Sequence, residues 1–289
     1  MNKTSSPLTR YVLTVPAAFL IAALLMLGGC SPLALINSVT SDQNFTVNQD
    51  IAYGPGPRQK LDVYEPTSRN LQQPAKVAIF FYGGSWQSGK RQDYLFVAES
   101  LTRAGIVTVI PDYAVYPEAH YPVFIEDGAR AVKWVRQHIA EYGGDPNAIY
   151  LIGHSAGAHI AAMLALNRDF LGPEGIAGMI GLAGPYDFLP FNTETIRDIF
   201  STADTPEATQ PITYIDGDEP PLLLITGKAD HVVDPGNSQR LADKMTSRGG
   251  EARTIFYPNI GHSRILISIA DPLTFIAPTR KDIIEFINP

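Results

Sequence analysis

The sequence predicts an α/β protein in which a mostly parallel sheet is covered by helices on both faces. Two observations carry that expectation. From Phe45 almost to the C-terminus, short apolar runs suited to strands alternate with segments of helical periodicity. Within that alternation, Ala148 to Leu166 reads AIYLIGHSAGAHIAAMLAL, an apolar run, a tight turn of small residues, and an alanine-rich helix former starting at once. With 289 residues, 45% of them hydrophobic, the chain can bury one large core, and a single domain is expected over 45–289.

The N-terminus stands apart. Lys3 and Arg10 precede an apolar run from Val12 to Leu27, broken by Pro16, and then comes Leu27-Gly28-Gly29-Cys30. The run is shorter than the roughly 20 residues a membrane span needs. The arrangement resembles the signal peptide and lipobox of bacterial lipoproteins. That resemblance implies cleavage after residue 29, lipid on Cys30, and a tether over residues 30–44. Ser31, where an aspartate would imply inner-membrane retention, points to the outer membrane of a bacterial envelope. The alternative is an ordinary signal peptide with an incidental cysteine. Cys30 is the only cysteine and cannot form an internal disulfide. Two or more acyl chains would anchor the body without a spanning helix.

Phe45 to Tyr53 and Gln59 to Tyr64 read as strands around the turn Gly54-Pro55-Gly56-Pro57. Lys76 to Phe81 is a continuous apolar run, as a strand covered on both faces requires. Tyr82-Gly83-Gly84-Ser85-Trp86 follows, then a polar loop and a helix from about Arg91 to Ala104. Ile106 to Ile110 is another buried strand. Ile125, Ala129, Val132, Val135 and Ile139 mark one face of a helix that Gly143-Gly144 ends. After the strand-turn-helix stretch come strands at Gly178 to Leu182 and Pro220 to Thr226, a helix at Asn237 to Ser247, a strand at Ala252 to Tyr257 and a closing helix at Arg280 to Ile287. Residues 185–219, rich in Pro, Thr and acids, interrupt the alternation and read as a small cap over the carboxyl edge of the sheet. Ligands of open parallel sheets bind at that edge.

Composition excludes some chemistry. The formal net charge is −7, and no run of Lys or Arg could track a phosphate backbone, so nucleic acid is not an expected partner. No H-E-x-x-H or cysteine cluster is present, and neither metal nor cofactor is expected.

The turn Gly153-His154-Ser155-Ala156-Gly157 fits the G-x-S-x-G nucleophile elbow, a pattern that is weak alone and specific only between a strand and a helix. A nucleophilic serine needs a base. Of six histidines, His154 lies within the elbow, His159 reads as packed beneath the site, and His120, His138 and His231 read as structural. His262 follows a strand and the loop Pro258-Asn259-Ile260-Gly261, which is expected to be a glycine-hinged support at the serine's edge of the sheet. The carboxylate that orients it is expected just after a strand, and Asp230 fits. Asp234 competes but precedes Pro235 and reads as opening a helix; Asp112 precedes the serine and suits a structural role.

The order Ser155, Asp230, His262, with Gly83-Gly84-Ser85-Trp86, Asp112-Tyr113, Tyr116-Pro117-Glu118 and Gly261-His262, resembles the α/β-hydrolase esterases and lipases, in the branch whose oxyanion segment reads His-Gly-Gly-x-Trp. The resemblance implies a serine carboxylesterase with an oxyanion hole built from Gly84 or Ser85 together with Ala156. The chain departs from it at Tyr82, where histidine is usual. An amide hydrolase, as a formamidase or peptidase, and an inactive surface binding module on the same fold are the alternatives. Tyr82, Trp86, Tyr113, Tyr116 and Tyr186 fit either a partly apolar site for a small acyl or aryl ester, or the core.

Overall fold

A computed structural model describes residues 32–68, 73–172 and 175–289; the expected lipobox and its Cys30 lie outside the described residues. Eight strands form one sheet: β1 (Phe45–Ala52), β2 (Lys60–Pro66), β3 (Ala75–Phe81), β4 (Val107–Pro111), β5 (Gly144–His154), β6 (Gly178–Leu182), β7 (Leu222–Gly227) and β8 (Ala252–Tyr257). Their spatial order is β1-β2-β4-β3-β5-β6-β7-β8. β1 and β2 pair antiparallel, as do β2 and β4, and every other pair is parallel. The expected fold class is borne out.

The runs Val77–Phe81, Val107–Pro111, Gly178–Leu182 and Leu222–Gly227 are buried throughout. Helices and loops therefore cover both faces, which is why these strands lack the alternation of a half-exposed sheet. Helix Val123–His138 buries Ile125, Ala129, Val132 and Val135, and the chain then passes through a 3-10 turn to Gly143, whose φ of +76° stops it. The stretch expected to be one helix from Arg91 opens instead as a 3-10 turn, Arg91–Tyr94, before helix Leu95–Thr102.

The topology fixes where a site can form. β4 lies on one side of β3 and β5 on the other, so the loops leaving β3 and β5 flank the place where the strand order reverses. Residues 185–219 carry helix Glu194–Ile199 and two 3-10 turns, Pro206–Thr209 and Pro211–Tyr214. A backbone bond from Tyr121 N to Ile199 O (2.9 Å) ties them to the domain, and one from Ile212 N to Tyr186 O (3.1 Å) closes the segment on itself.

Two segments differ from expectation. Residues 32–38, read as part of a tether, form a helix with Ile36 buried. Its Asn37 amide donates to Gln92 O at 2.9 Å and its carbonyl accepts from Phe96 N at 3.3 Å, so this part of the segment is docked on the domain. His262 opens helix His262–Ile267 instead of hanging from a hinged loop. Gly261 has φ −100°, and the left-handed residue of that loop is Asn259.

Candidate active site

Phe81 lies opposite Gly153 across the parallel β3/β5 pair, so the Tyr82–Gly89 loop and the Ser155 turn leave the same edge of the sheet. Ser155 has φ 54° and ψ −123°. A non-glycine residue there costs about 1–3 kcal/mol and persists only when its surroundings dictate it. Here the Ser155 N–H donates to Leu182 O on β6 at 2.9 Å. Helix Ala156–Leu166 begins at the next residue, so the Ala156 N–H has no acceptor within the helix and is free for an oxyanion.

The loops after β7 and β8 close on each other. Lys228 N donates to Tyr257 O (2.9 Å) and Ala229 N to Ile260 O (3.0 Å), bringing the next residues together. Asp230 Oδ2 stands 2.8 Å from His262 Nδ1, while Oδ1 accepts the N–H groups of Val232 (2.8 Å) and Val233 (3.0 Å). Burial works to raise the Asp230 pKa, but these three donors outweigh it and hold the carboxyl below its ordinary value. The His262 ring lies 4.8 Å from that of His154, and His154 Nε2 donates to the His262 carbonyl at 3.1 Å. The imidazole thus stands against the residue preceding Ser155. Asp234 accepts from Gly236 N at 2.9 Å and meets Arg240 at 3.2 Å, so it serves the start of the next helix.

Gly84, Ser85 and Trp86 all have positive φ, at 133°, 53° and 58°. Three successive left-handed residues make a loop that must be held from outside. Part of the hold is local: Gly84 O accepts from Gln87 N (2.9 Å) and Ser88 N (3.1 Å), and Trp86 O accepts from Tyr116 N (2.8 Å). The rest comes through Tyr82. Its ring stacks between Tyr94 and Tyr113 at 5.2 and 4.7 Å, and its hydroxyl donates to Asp112 Oδ1 at 2.7 Å. Asp112 in turn pairs with buried Arg91, which also binds Asp62 and Asp50.

Ser85, Trp86, Ser155 and Ala156 line a cavity of about 550 Å³ whose other wall comes from residues 185–196 and 232–240. Phe188, Leu189 and Val233 make it partly apolar; at its rim Arg240 joins Asp187 (2.5 Å) and Asp234. Of the five aromatics weighed above, Tyr82, Tyr113 and Tyr186 are fully buried core, while Trp86 lines the cavity. Tyr116 lies outside it, half-buried.

His159 packs behind the site, against the Trp86 and Phe188 side chains that line the cavity. It reaches the cap segment, where Nε2 donates to Thr209 O at 2.8 Å and the ring lies within 6 Å of Trp86, Phe188 and Phe200 (5.2, 5.7 and 5.6 Å). Burial lowers its pKa to about 4, and burial together with the neighbouring His262 lowers that of His154 to about 3, against 6.5 in solution. Both stay neutral in the folded chain while the unfolded chain takes up protons below pH 6.5. Stability is therefore full above that pH and is lost as pH falls toward 4 and 3, by about 1.4 kcal/mol per pH unit per histidine. Unfolding of wild type and His159→Gln between pH 7 and 5 should show the variant with the shallower decline; equal slopes would remove His159 from that account.

The sequence reading missed Arg58, Arg91 and Arg240. Their partners stand 21 or more residues away, except for Asp234 beside Arg240, so no local spacing announces them.

A family model, BD-FAE, matches residues 61–245. Esterase LipQ of Mycobacterium tuberculosis is 32% identical over 239 residues, covering 74% of this chain and 56% of that protein. Kynurenine formamidase of Salmo salar is 37% identical over 153 residues, covering 52% and 49%. Among solved structures, esterase 2 of Thermogutta terrifontis phosphonylated by sarin superposes with a TM-score of 0.72 at 25% identity, over 86% of this chain and 95% of that one. The chain spans about half to two-thirds of the length of the curated relatives it matches.

Proposed function

Because the chain belongs to the BD-FAE family, whose matched region carries the Ser155 elbow, we propose that it is a serine carboxylesterase acting on short-chain acyl or aryl esters. The observation that carries this reading is the Asp230–His262 pair, 2.8 Å apart, standing on the elbow that holds Ser155 in its strained conformation. Asp230 keeps the proton on Nδ1, leaving Nε2 as the base. His262 takes the Ser155 proton as Oγ attacks the ester carbonyl, and N–H groups of Ala156 and of Gly84 or Ser85 receive the developing oxyanion. His262 then protonates the departing alcohol. Water repeats the cycle on the acyl-enzyme and releases the acid.

The cavity beside Ser155, about 550 Å³ and partly apolar, suits a modest acyl or aryl group. The test is hydrolysis of p-nitrophenyl esters from acetate to long chains, with fluorophosphonate labelling and mapping of the modified residue. Short-chain activity with the label on Ser155 is expected. A folded chain that neither hydrolyses nor labels would favour the inactive binding module. An amide reading draws on the likeness to the Salmo salar kynurenine formamidase, and preference for N-formyl aryl amides over aryl acetates would establish it.

The same proposal places the enzyme in a bacterial envelope, at the outer membrane, anchored by lipid on Cys30. The motif Leu27-Gly28-Gly29-Cys30 supports it. Cys30→Ala should release the chain from membranes, and undiminished membrane association would count against the anchor.

A further inference from the structure

We propose that Arg58 is a positioning residue for the oxyanion loop, holding the Gly84 and Ser85 N–H groups where the reaction needs them; this rests on the esterase reading above. Arg58 lies on the β1–β2 hairpin, far in sequence from the site, and is half-buried. Two of its three side-chain bonds go to the ends of that loop, and the third goes to Tyr113, which braces it. Nη2 donates to the Tyr82 hydroxyl at 2.9 Å, where the loop begins, and to Gly89 O at 2.6 Å, where it ends. Nε donates to Tyr113 O at 2.7 Å, and the Tyr113 hydroxyl donates to Tyr82 O, also at 2.7 Å. One guanidinium therefore ties entrance to exit. Its planar fork presents donors from two separated nitrogens, whereas a lysine carries its three N–H donors on one nitrogen and does not match that spacing.

The loop needs such a clamp. Gly84, Ser85 and Trp86 occupy the left-handed region in succession, and Gly89 does so as well, with φ 111°. A Cβ at Gly89 would come 2.6 Å from the Tyr82 ring, so entrance and exit already touch and small movements of one displace the other. The Tyr82 hydroxyl accepts from Arg58 and donates to Asp112, whose Oδ1 also accepts Arg91 N at 2.7 Å. Where the resembling branch carries a histidine, this chain has a tyrosine whose phenol joins two clamps.

An alternative is that Arg58 merely fastens the hairpin. The hairpin has fastenings of its own: Tyr53 donates to Asp112 O at 2.5 Å, Gln59 to Asp127 Oδ1 at 2.7 Å, and Asp112 N to Lys60 O at 2.9 Å. Removing Arg58 leaves these intact. Misplacement of the loop by a fraction of an ångström should then cost turnover more than binding.

The experiment uses the full chain as wild type, Arg58→Met, Arg58→Lys, Tyr82→Phe and the Arg58→Met/Tyr82→Phe double variant. It reads kcat and KM on p-nitrophenyl acetate, the rate of fluorophosphonate labelling, and Tm. Arg58→Met should lower kcat about 10-fold to 100-fold with KM within about twofold, and slow labelling by the same factor, because phosphonylation uses the same hole. Lysine should restore part of the loss. Tyr82→Phe should lower kcat less, and because it removes the Arg58 bond together with the one to Asp112, the double variant should lose more than Arg58→Met alone but less than the two single losses combined, since the Arg58–Tyr82 bond is shared. Unchanged kcat in Arg58→Met, or additive losses in the double variant, would overturn the assignment. If Arg58→Met fails to fold, Tyr82→Phe tests the same bond from its other end, and full activity there would overturn it too. A wild-type chain that neither turns over nor labels strikes at the esterase reading itself, whereas an active wild type with an equally active Arg58→Met strikes only at Arg58.

Discussion

On the esterase reading, Asp230→Asn should lower turnover by about 10⁴-fold and leave the fold standing. The size of the effect follows from where the two carboxylate oxygens point. Oδ1 accepts two backbone N–H groups, from Val232 and Val233, and Oδ2 faces His262 Nδ1. An asparagine must keep its carbonyl oxygen toward the two backbone donors, because its NH₂ group would meet them donor to donor. The amide nitrogen then faces His262 and donates to Nδ1. That moves the imidazole proton to Nε2, and the ring presents a donor where Ser155 needs a base. Shape barely changes, so Tm should shift little while kcat on p-nitrophenyl acetate falls. Asp234→Asn is the control: that carboxylate serves Gly236 and Arg240, and its loss should change kcat by no more than a few-fold. Near-normal activity in Asp230→Asn would return Asp234 to candidacy.

The elements that formed as read are those whose signal is local. Gly178–Leu182 and Ala252–Tyr257 carry the expected boundaries, and the 125, 129, 132, 135 stripe buries the face it marks. An apolar run must be covered, and an amphipathic stripe must face a core, whatever lies elsewhere in the chain. The meeting of Asp230 with His262 was legible for the same reason, since each follows a recognisable strand and parallel strands deliver their loops to one edge. The supports of the site were not legible. Arg58 meets partners 24 to 55 residues away, and Arg91 gathers carboxylates from three separate segments. Nothing in either neighbourhood has a period or a motif. The partner of His159 was hidden for a related reason. The histidine's place one turn past the elbow fixes where it starts, while its direction depends on Thr209, 50 residues on. Helix His262–Ile267 went unread because it is barely more than a turn long and Asn259, not Gly261, supplies the left-handed residue before it.

On the same reading, Gly157→Ala should abolish most activity through backbone geometry alone, with kcat reduced by at least about 10²-fold and a stability loss beyond the ~1–3 kcal/mol usual for overpacking. A Cβ at Gly157 would lie 2.0 Å from Phe81 O and 2.4 Å from Tyr82 O. Both are backbone atoms at the end of β3, where the oxyanion loop begins, so no side chain can swing aside to relieve the clash. The elbow helix must withdraw from β3. Withdrawal separates the Ala156 N–H, at the head of that helix, from the Gly84 and Ser85 N–H groups that follow Tyr82. The two halves of the oxyanion hole part even if each keeps its local shape. Gly153→Ala presses on the elbow helix from β5 instead, since its Cβ would stand 2.2 Å from Gly157 O. Gly175→Ala is the comparison: among the described residues nothing lies within 4 Å of a Cβ there, and kcat and Tm should both hold. Measured together, kcat, Tm and fluorophosphonate labelling decide the matter. A stable Gly157→Ala chain with wild-type turnover would mean that the hole does not depend on the contact between the elbow helix and β3, and the assignment of the oxyanion donors to those two segments would fall.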